Sequence, residues 1–172
     1  MTKNEIRQLM IAKRSALSAQ EAARRSADLV EKFVRDYRFI VADMVALYEP
    51  INNEVDLRAL YNSGKRFALP KVVGPHMHFI ELTPETKLVR SSFGILEPDD
   101  GLVVDDQIDL LLVPTLALDH KHYRIGFGKG YYDRFLAIHK PKMTLGVIYD
   151  FQLVDRFDHH KFDIPLDGVL IA

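Results

Sequence analysis

The run Ile108-Asp-Leu-Leu-Leu-Val-Pro114 constrains the fold of this chain more than any other stretch. It is a continuous apolar segment of strand length closed by proline, the pattern of a strand buried on both faces in the middle of a sheet. A sheet covered on both faces needs helices on both sides, and the surrounding sequence supplies them. Short apolar runs alternate with helical pieces: Val41 to Tyr48, a helix from about Asp56 to Asn62 stopped by Gly64, then Arg66 to Leu69. His76 to Leu82 alternates polar and apolar residues, as a half-exposed strand on an antiparallel excursion does. Thr2 with Glu5 and Ser18 with Glu21 have capping-box spacing, so residues 1–37 read as a helical hairpin. A further helix is expected from Tyr131 to His139, and two last strands at Met143 to Ile148 and Gly168 to Ile171. At 172 residues and 48% hydrophobic, the chain can bury one core and is short for two. The expectation is a single domain over residues 1–172, a three-layer α/β/α fold with a mostly parallel, Rossmann-like central sheet.

After the buried strand comes Arg124-Ile-Gly-Phe-Gly-Lys-Gly-Tyr-Tyr-Asp-Arg134. Gly126, Gly128 and Gly130 alternate just ahead of a helix start. Such a loop lets backbone N–H groups close on an anion, while the helix dipole and Lys129 add positive charge. It is not a P-loop, which needs four residues between its glycines and a Ser or Thr after the lysine, because Gly130 follows Lys129. It is not a dinucleotide fingerprint either, since the third glycine would fall at Tyr131. Ligands of open α/β sheets collect beyond the carboxyl ends of the strands, where this order of elements puts the loop. The strand from Val41 delivers Tyr48, Glu49 and Glu54 to the same rim if the strands are parallel, making a second ligand wall.

Other residues gather around these two walls. On the first helix Lys3, Arg7 and Arg14 fall within about 40° of one another, with Met10 between them. Such a basic stripe is ordinary on a solvated face. Lys3 and Arg7, however, oppose the helix dipole in the first turns, and an anionic partner would offset that. Asp133 sits in the first turn of the helix after the glycine loop. Near a triphosphate it can serve Mg²⁺, with Asp163 or Asp167 as a second carboxylate. Tyr48, Phe93, Phe127 and Tyr131 add flat aromatic walls, and Tyr132 reads as core. Aromatics with two carboxylates suit a planar, amino-bearing heterocycle better than a sugar phosphate. Several chemistries lack support. There is no cysteine, hence no disulfide, thiolate metal site or cysteine nucleophile. A net charge of −1 gives no bulk attraction to nucleic acid. The histidine pairs His76/His78, His120/His122 and His159/His160 lack a zinc frame, and no serine sits in a nucleophile elbow. With a polar start and no apolar run near the ~18 residues of a membrane span, a cytoplasmic location is expected.

The assembled motifs identify a resemblance to the 5-formyltetrahydrofolate cyclo-ligase (5,10-methenyltetrahydrofolate synthetase) family, running from Lys3 to Val169. The family loop reads Arg-Leu-Gly-x-Gly-(Gly/Lys)-Gly-(Tyr/Phe)-Tyr-Asp-Arg, matched from Arg124 to Arg134 with Ile125 for leucine. Lys3 with Arg7, Glu49 with Glu54, Leu69-Pro70-Lys71 and Phe93 to Pro98 match further family elements. The resemblance implies ATP- and Mg²⁺-dependent closure of 5-formyltetrahydrofolate to 5,10-methenyltetrahydrofolate. It implies that Lys3, Arg7, Arg124, Gly126, Gly128, Lys129, Gly130, Tyr131, Tyr132 and Arg134 hold ATP, with Lys129, Arg124 and Tyr132 catalytic. Glu49, Glu54, Phe93 and Phe127 would then hold the folate, and Asp133 and Asp163 the metal. The expected partners are these small molecules, with no nucleic acid and no membrane, for a monomer or weak homo-oligomer. Two departures stand out. His122 replaces a turn glycine in Asp119-His-Lys-His122-Tyr-Arg124, so that turn is expected to be reshaped. A late His-Asp pair appears as His160-Lys-Phe-Asp163. On the residues alone, a small-molecule kinase or a non-catalytic phosphometabolite-binding regulator would use the same cradle.

Overall fold

The computed structural model describes residues 1–172. Helix α1 (Lys3–Ser15) begins at a complete capping box: Thr2 Oγ1 accepts from Glu5 N at 3.2 Å, and Glu5 Oε2 accepts from Thr2 N at 2.7 Å. Helix α2 (Ala19–Phe33) has half of one. Ser18 accepts from Glu21 N, but the Glu21 carboxylate turns to Arg24 at 2.8 Å. The two helices enter different cores instead of forming the expected hairpin. Ile6 and Met10 of α1 pack with Ala117, Ile125 and Phe157, whereas Leu29, Val30 and Phe33 of α2 join the largest apolar cluster.

A short helix α3 (Tyr37–Ile40), capped by Asp36, precedes the expected first strand and takes Val41 as its C-cap, and β1 is only Met44–Ala46. The expected helix after it is a 3-10 turn, Arg58–Ser63, ended by Gly64 at φ 75°. Strand β2 (Arg66–Val73) runs past Pro70, which lies beyond the last β1 partner, Ala46 opposite Ala68. It turns back antiparallel into β3 (His76–Glu81), the excursion read from the sequence. A small ribbon, β4 (Leu88–Arg90) and β5 (Leu96–Pro98), precedes the apolar strand β6 (Leu110–Pro114). A second small sheet joins β7 (Ala117–Asp119), β8 (Arg124–Ile125) and, later, β10 (Leu153–Val154). These two- and three-residue strands are too short to carry a readable alternation. Helix α4 (Tyr131–Ile138), β9 (Met143–Ile148) and β11 (Gly168–Ile171) fall where expected.

The main sheet has the order β11-β9-β6-β1-β2-β3 and is parallel except for β3. Side chains alternate between two cores. Val45, Leu47, Leu110, Leu112, Leu145 and Val147 face α2 and α3, while Met44, Ala46, Leu111 and Val113 face α4. Each fully buried leucine contributes about 1.5–3 kcal/mol over an exposed one, which is why β6 needs cover on both faces. The chain steps from β1 to β2 on one side and later to β6 on the other. The switch point therefore lies at the carboxyl ends of β1 and β6.

The turn at His122 has a backbone conformation open to glycine. His122 holds φ 63°, the left-handed conformation that glycine adopts freely, and Asp119 Oδ1 accepts from Lys121 N and Tyr123 N at 2.9 and 3.0 Å. A β-branched residue tolerates that conformation worst. His122→Val is expected to cost about 1–2 kcal/mol in urea denaturation, and His122→Gly to cost nothing measurable.

Candidate active site

A cleft of about 720 Å³ opens at the switch point, and every site residue that the family resemblance implies, except Arg134, lines it. Arg134 lies outside: its Nε donates to Pro75 O at 3.0 Å and its guanidinium stacks 4.9 Å from the Tyr131 ring centre. Its place in the loop motif gave no sign that it points away, because it follows one turn into α4.

The glycine loop forms one wall. Gly128 holds φ 93° and Gly130 holds φ 70° as the left-handed cap of α4, so both need glycine to make the turn into the helix. Arg7 reaches from α1 to this loop, its Nε donating to Gly126 O at 2.8 Å. Arg124, nearly buried, donates to Asp133 Oδ2 at 3.0 Å and lies 5.3 Å from the Tyr132 ring centre. Its Nε is buried without a partner, a donor that suits an anionic oxygen. Lys129 is exposed above the loop, 5.7 Å from the ring centre of Phe93. Tyr132 is half-buried, and loss of water raises its phenol against the opposing pull of Arg124. It therefore stays protonated near neutral pH and acts as a donor.

The loop after β1 forms the opposite wall. Tyr48 donates its hydroxyl to Val55 O at 2.7 Å, which packs the ring under the loop. Burial raises the Glu49 carboxyl, with Arg58 at 3.7 Å pulling the other way. Glu54 is 8% exposed and accepts from Ile51 N at 3.0 Å, with Arg14 Nη1 at 3.5 Å. Burial pushes its carboxyl up to about 7 despite both partners. Arg14, read from the sequence as part of a solvated stripe, is 1% exposed. Asn52 and Asn53, absent from the sequence candidates, shape this loop at φ 48° and 58°. The Asn-Asn dipeptide was the available signal, since asparagine tolerates left-handed turns.

The third wall carries the carboxylates. Asp163 accepts from His160 N at 2.7 Å and pairs with Lys3. Burial opposes its ionisation, but Lys3 and the His160 N–H outweigh that and hold it below the usual range. Asp133 Oδ1 accepts from the N–H of Ile164, next to Asp163, so the two acids reach the same end of the cleft. Asp167 does not. Its Oδ2 accepts from Thr144 N at 2.8 Å and Thr144 Oγ1 at 3.0 Å, clamping β11 to β9. Three histidines are likewise engaged by carboxylates: His78 with Asp105 at 2.8 Å, His139 with Asp106 at 2.7 Å and His159 with Asp119 at 2.6 Å. No group of three or more His, Asp or Glu side chains is arranged to hold a metal ion.

A cleft at the switch point of a mostly parallel sheet, lined by a cationic glycine loop and by a buried carboxylate, defines an α/β protein with a charged small-molecule cleft. The chain belongs to the 5-formyltetrahydrofolate cyclo-ligase family, whose model matches residues 1–172. It is 31% identical to a Mycoplasma genitalium 5-formyltetrahydrofolate cyclo-ligase, over 98% of this chain and 96% of that one. The solved Aquifex aeolicus 5,10-methenyltetrahydrofolate synthetase superposes with a TM-score of 0.88 at 38% identity, covering 99% of this chain and 90% of that one. The Mycoplasma pneumoniae synthetase gives 0.79 at 30% identity, covering 99% and 98%. No helix is long and apolar enough to cross a membrane.

The Glu54 carboxyl binds a proton more tightly in the folded chain, near 7, than at its ordinary 4.5. Its share of stability is therefore full below about pH 4.5 and lost as pH rises through 7. Urea denaturation at pH 5 and pH 8 is expected to show the parent protein losing about 2–3 kcal/mol more than Glu54→Gln across that interval.

Proposed function

We propose that this chain closes 5-formyltetrahydrofolate to 5,10-methenyltetrahydrofolate at the expense of ATP, releasing ADP and phosphate. The observation that carries the reading is the opposition of the two walls. Arg124, with its unpartnered buried Nε, and the glycine loop face the buried Glu54 across one cleft. Lys3, Arg7, the loop glycines, Lys129 and Arg124 hold the triphosphate. Glu49, Glu54, Phe93 and Phe127 hold the reduced folate, whose ring N–H groups find acceptors in the two carboxylates.

In the reaction the formyl oxygen attacks the γ-phosphorus and ADP leaves, making N5=CH–O–phosphate. N10 then attacks that carbon, closing the five-membered ring. The C–O bond breaks, phosphate departs with the former formyl oxygen, and the N10 proton is lost. Phosphoryl transfer of this kind asks for in-line placement and charge neutralisation more than covalent help. Arg124 and Lys129 neutralise the transferring group, and the loop N–H groups hold it in place. Tyr132, kept protonated by burial, donates a hydrogen bond and does not take the N10 proton.

Two ionisable carboxylates at one end of the cleft fit Mg²⁺, which takes one or two carboxylates plus phosphate oxygens. Asp133 and Asp163 would hold it, exchanging their present partners Arg124 and Lys3. When bound there it would offset phosphate charge. A cytoplasmic location completes the proposal and is supported by the absence of cysteine.

Oxygen-18 in the formyl group is expected to appear in the released phosphate. Label found in ADP or lost to water contradicts the route. Lys129→Ala should lower kcat by roughly 10²-fold, the scale of one preorganised donor; unchanged turnover removes Lys129 from the mechanism. Glu54→Gln should weaken folate binding in calorimetry about tenfold or more while leaving ATP binding intact. The reverse pattern would move Glu54 to the nucleotide side.

A further inference from the structure

The buried face of α1 carries Ile6, Met10 and Arg14, spaced four residues apart along one stripe. The first two are apolar, as a core stripe requires. The third is a guanidinium, 1% exposed and the largest fully buried side chain of the chain. Burying that charge for packing alone is costly, since leucine or methionine fills similar space without losing hydration.

Its contacts give the reason. Arg14 Nε donates to Asn52 O at 2.8 Å, and Nη1 lies 3.5 Å from Glu54 Oε1. The guanidinium carbon stands 5.8 Å from the ring centre of Phe127 in the glycine loop. The Arg14 carbonyl accepts from Asn53 Nδ2 at 3.2 Å, so backbone and side chain both fasten the same loop. Asn52 and Asn53 sit side by side in left-handed conformations, each costing on the order of 1 kcal/mol. Such strain persists only where the surroundings over-determine it, and Arg14 supplies two of the three hydrogen bonds that tie Asn52 and Asn53 to α1 and its end.

Arg14 itself does not line the cleft, yet Glu54 and Phe127, which it reaches on two separate loops, both do. We propose that Arg14 is a positioning residue that fixes Glu54 and, through Phe127, sets the folate wall against the nucleotide cradle. The inference rests on the ligase reading, which gives Glu54 to the folate. A packing residue would stabilise the fold without regard to Glu54; a positioning residue acts through it.

A double-mutant cycle separates the two roles. Arg14→Met keeps volume and removes charge, Glu54→Gln removes the partner charge, and the pair is combined. The readouts are KM for 5-formyltetrahydrofolate and for ATP, the thermal midpoint, and the pH profile of kcat/KM for folate. In the parent background Arg14→Met is expected to raise the folate KM about tenfold or more and to leave the ATP KM within about threefold. It should also move the acid limb of the profile up by about one pH unit, because the buried carboxylate loses its nearest cation. In the Glu54→Gln background the KM effect should fall below about twofold and the limb should not move. Equal KM effects in both backgrounds, or a lower thermal midpoint with unchanged KM and limb, overturn the inference and leave Arg14 a packing residue. If Arg14→Met does not fold, Arg14→Lys takes its place: it keeps the charge and loses the two-point reach, so KM rises while the limb stays. An unchanged KM there overturns the inference equally. A parent protein without folate turnover overturns the ligase reading along with it. Parental turnover with additive effects overturns the positioning role alone.

Discussion

The cleft depends on one helix whose cations each end on a different loop. Lys3 pairs with Asp163 ahead of β11, Arg7 bonds the Gly126 carbonyl of the glycine loop, and Arg14 bonds the Asn52 carbonyl after β1. The three loops emerge separately from the carboxyl ends of the sheet or beyond them, and nothing in the parallel ladder fixes their mutual spacing. α1 does so from outside the sheet, anchored by Ile6 and Met10 in a cluster with Ala117, Ile125 and Phe157. The main sheet thus provides a rim, and the first helix turns the rim into a cleft.

Charge within that cleft is arranged for exchange. Lys3 with Asp163 and Arg124 with Asp133 are pairs in which both partners line the same space. Lone buried charges would be costly, so each cation is matched by a carboxylate while the cleft is open to water. Under the proposed function, a triphosphate with its metal would supply anionic oxygens for the cations and a cation for the carboxylates, leaving the site neutralised in a new pairing. Glu54 differs. Its cation, Arg14, is buried behind the wall and not in the cleft, which leaves the carboxylate's remaining acceptor capacity for a ligand.

Much of this was legible in the sequence because it is local. The capping box at Thr2, the apolar strand to Pro114, the strands at Met143 and Gly168 and the glycine loop all depend on neighbours within a few residues. What stayed hidden depends on distant partners. Arg14 looks like any surface arginine until the helix is docked, and it is the burial of Met10 four residues earlier that carries it inward. Asp163 and Asp167 flank the same proline, yet one faces the cleft and the other clamps β9, a distinction set by the register of Gly168 against Leu145. His122 keeps the left-handed turn because Asp119 binds two of its backbone N–H groups, a reason invisible from the residue that replaced glycine. β1 starts later than Val41 because that residue is the C-cap of α3, whose start Asp36 caps.

The direct measurement is a coupled assay: purified protein with Mg-ATP and 5-formyltetrahydrofolate, following the methenyl chromophore and ADP together, with each component omitted in turn. Equal appearance of both products, dependent on folate and on ATP, is the expected result. ADP without the chromophore contradicts it and points to a kinase or an uncoupled ATPase. Neither product, despite measurable nucleotide binding, contradicts it in favour of a binding protein without turnover.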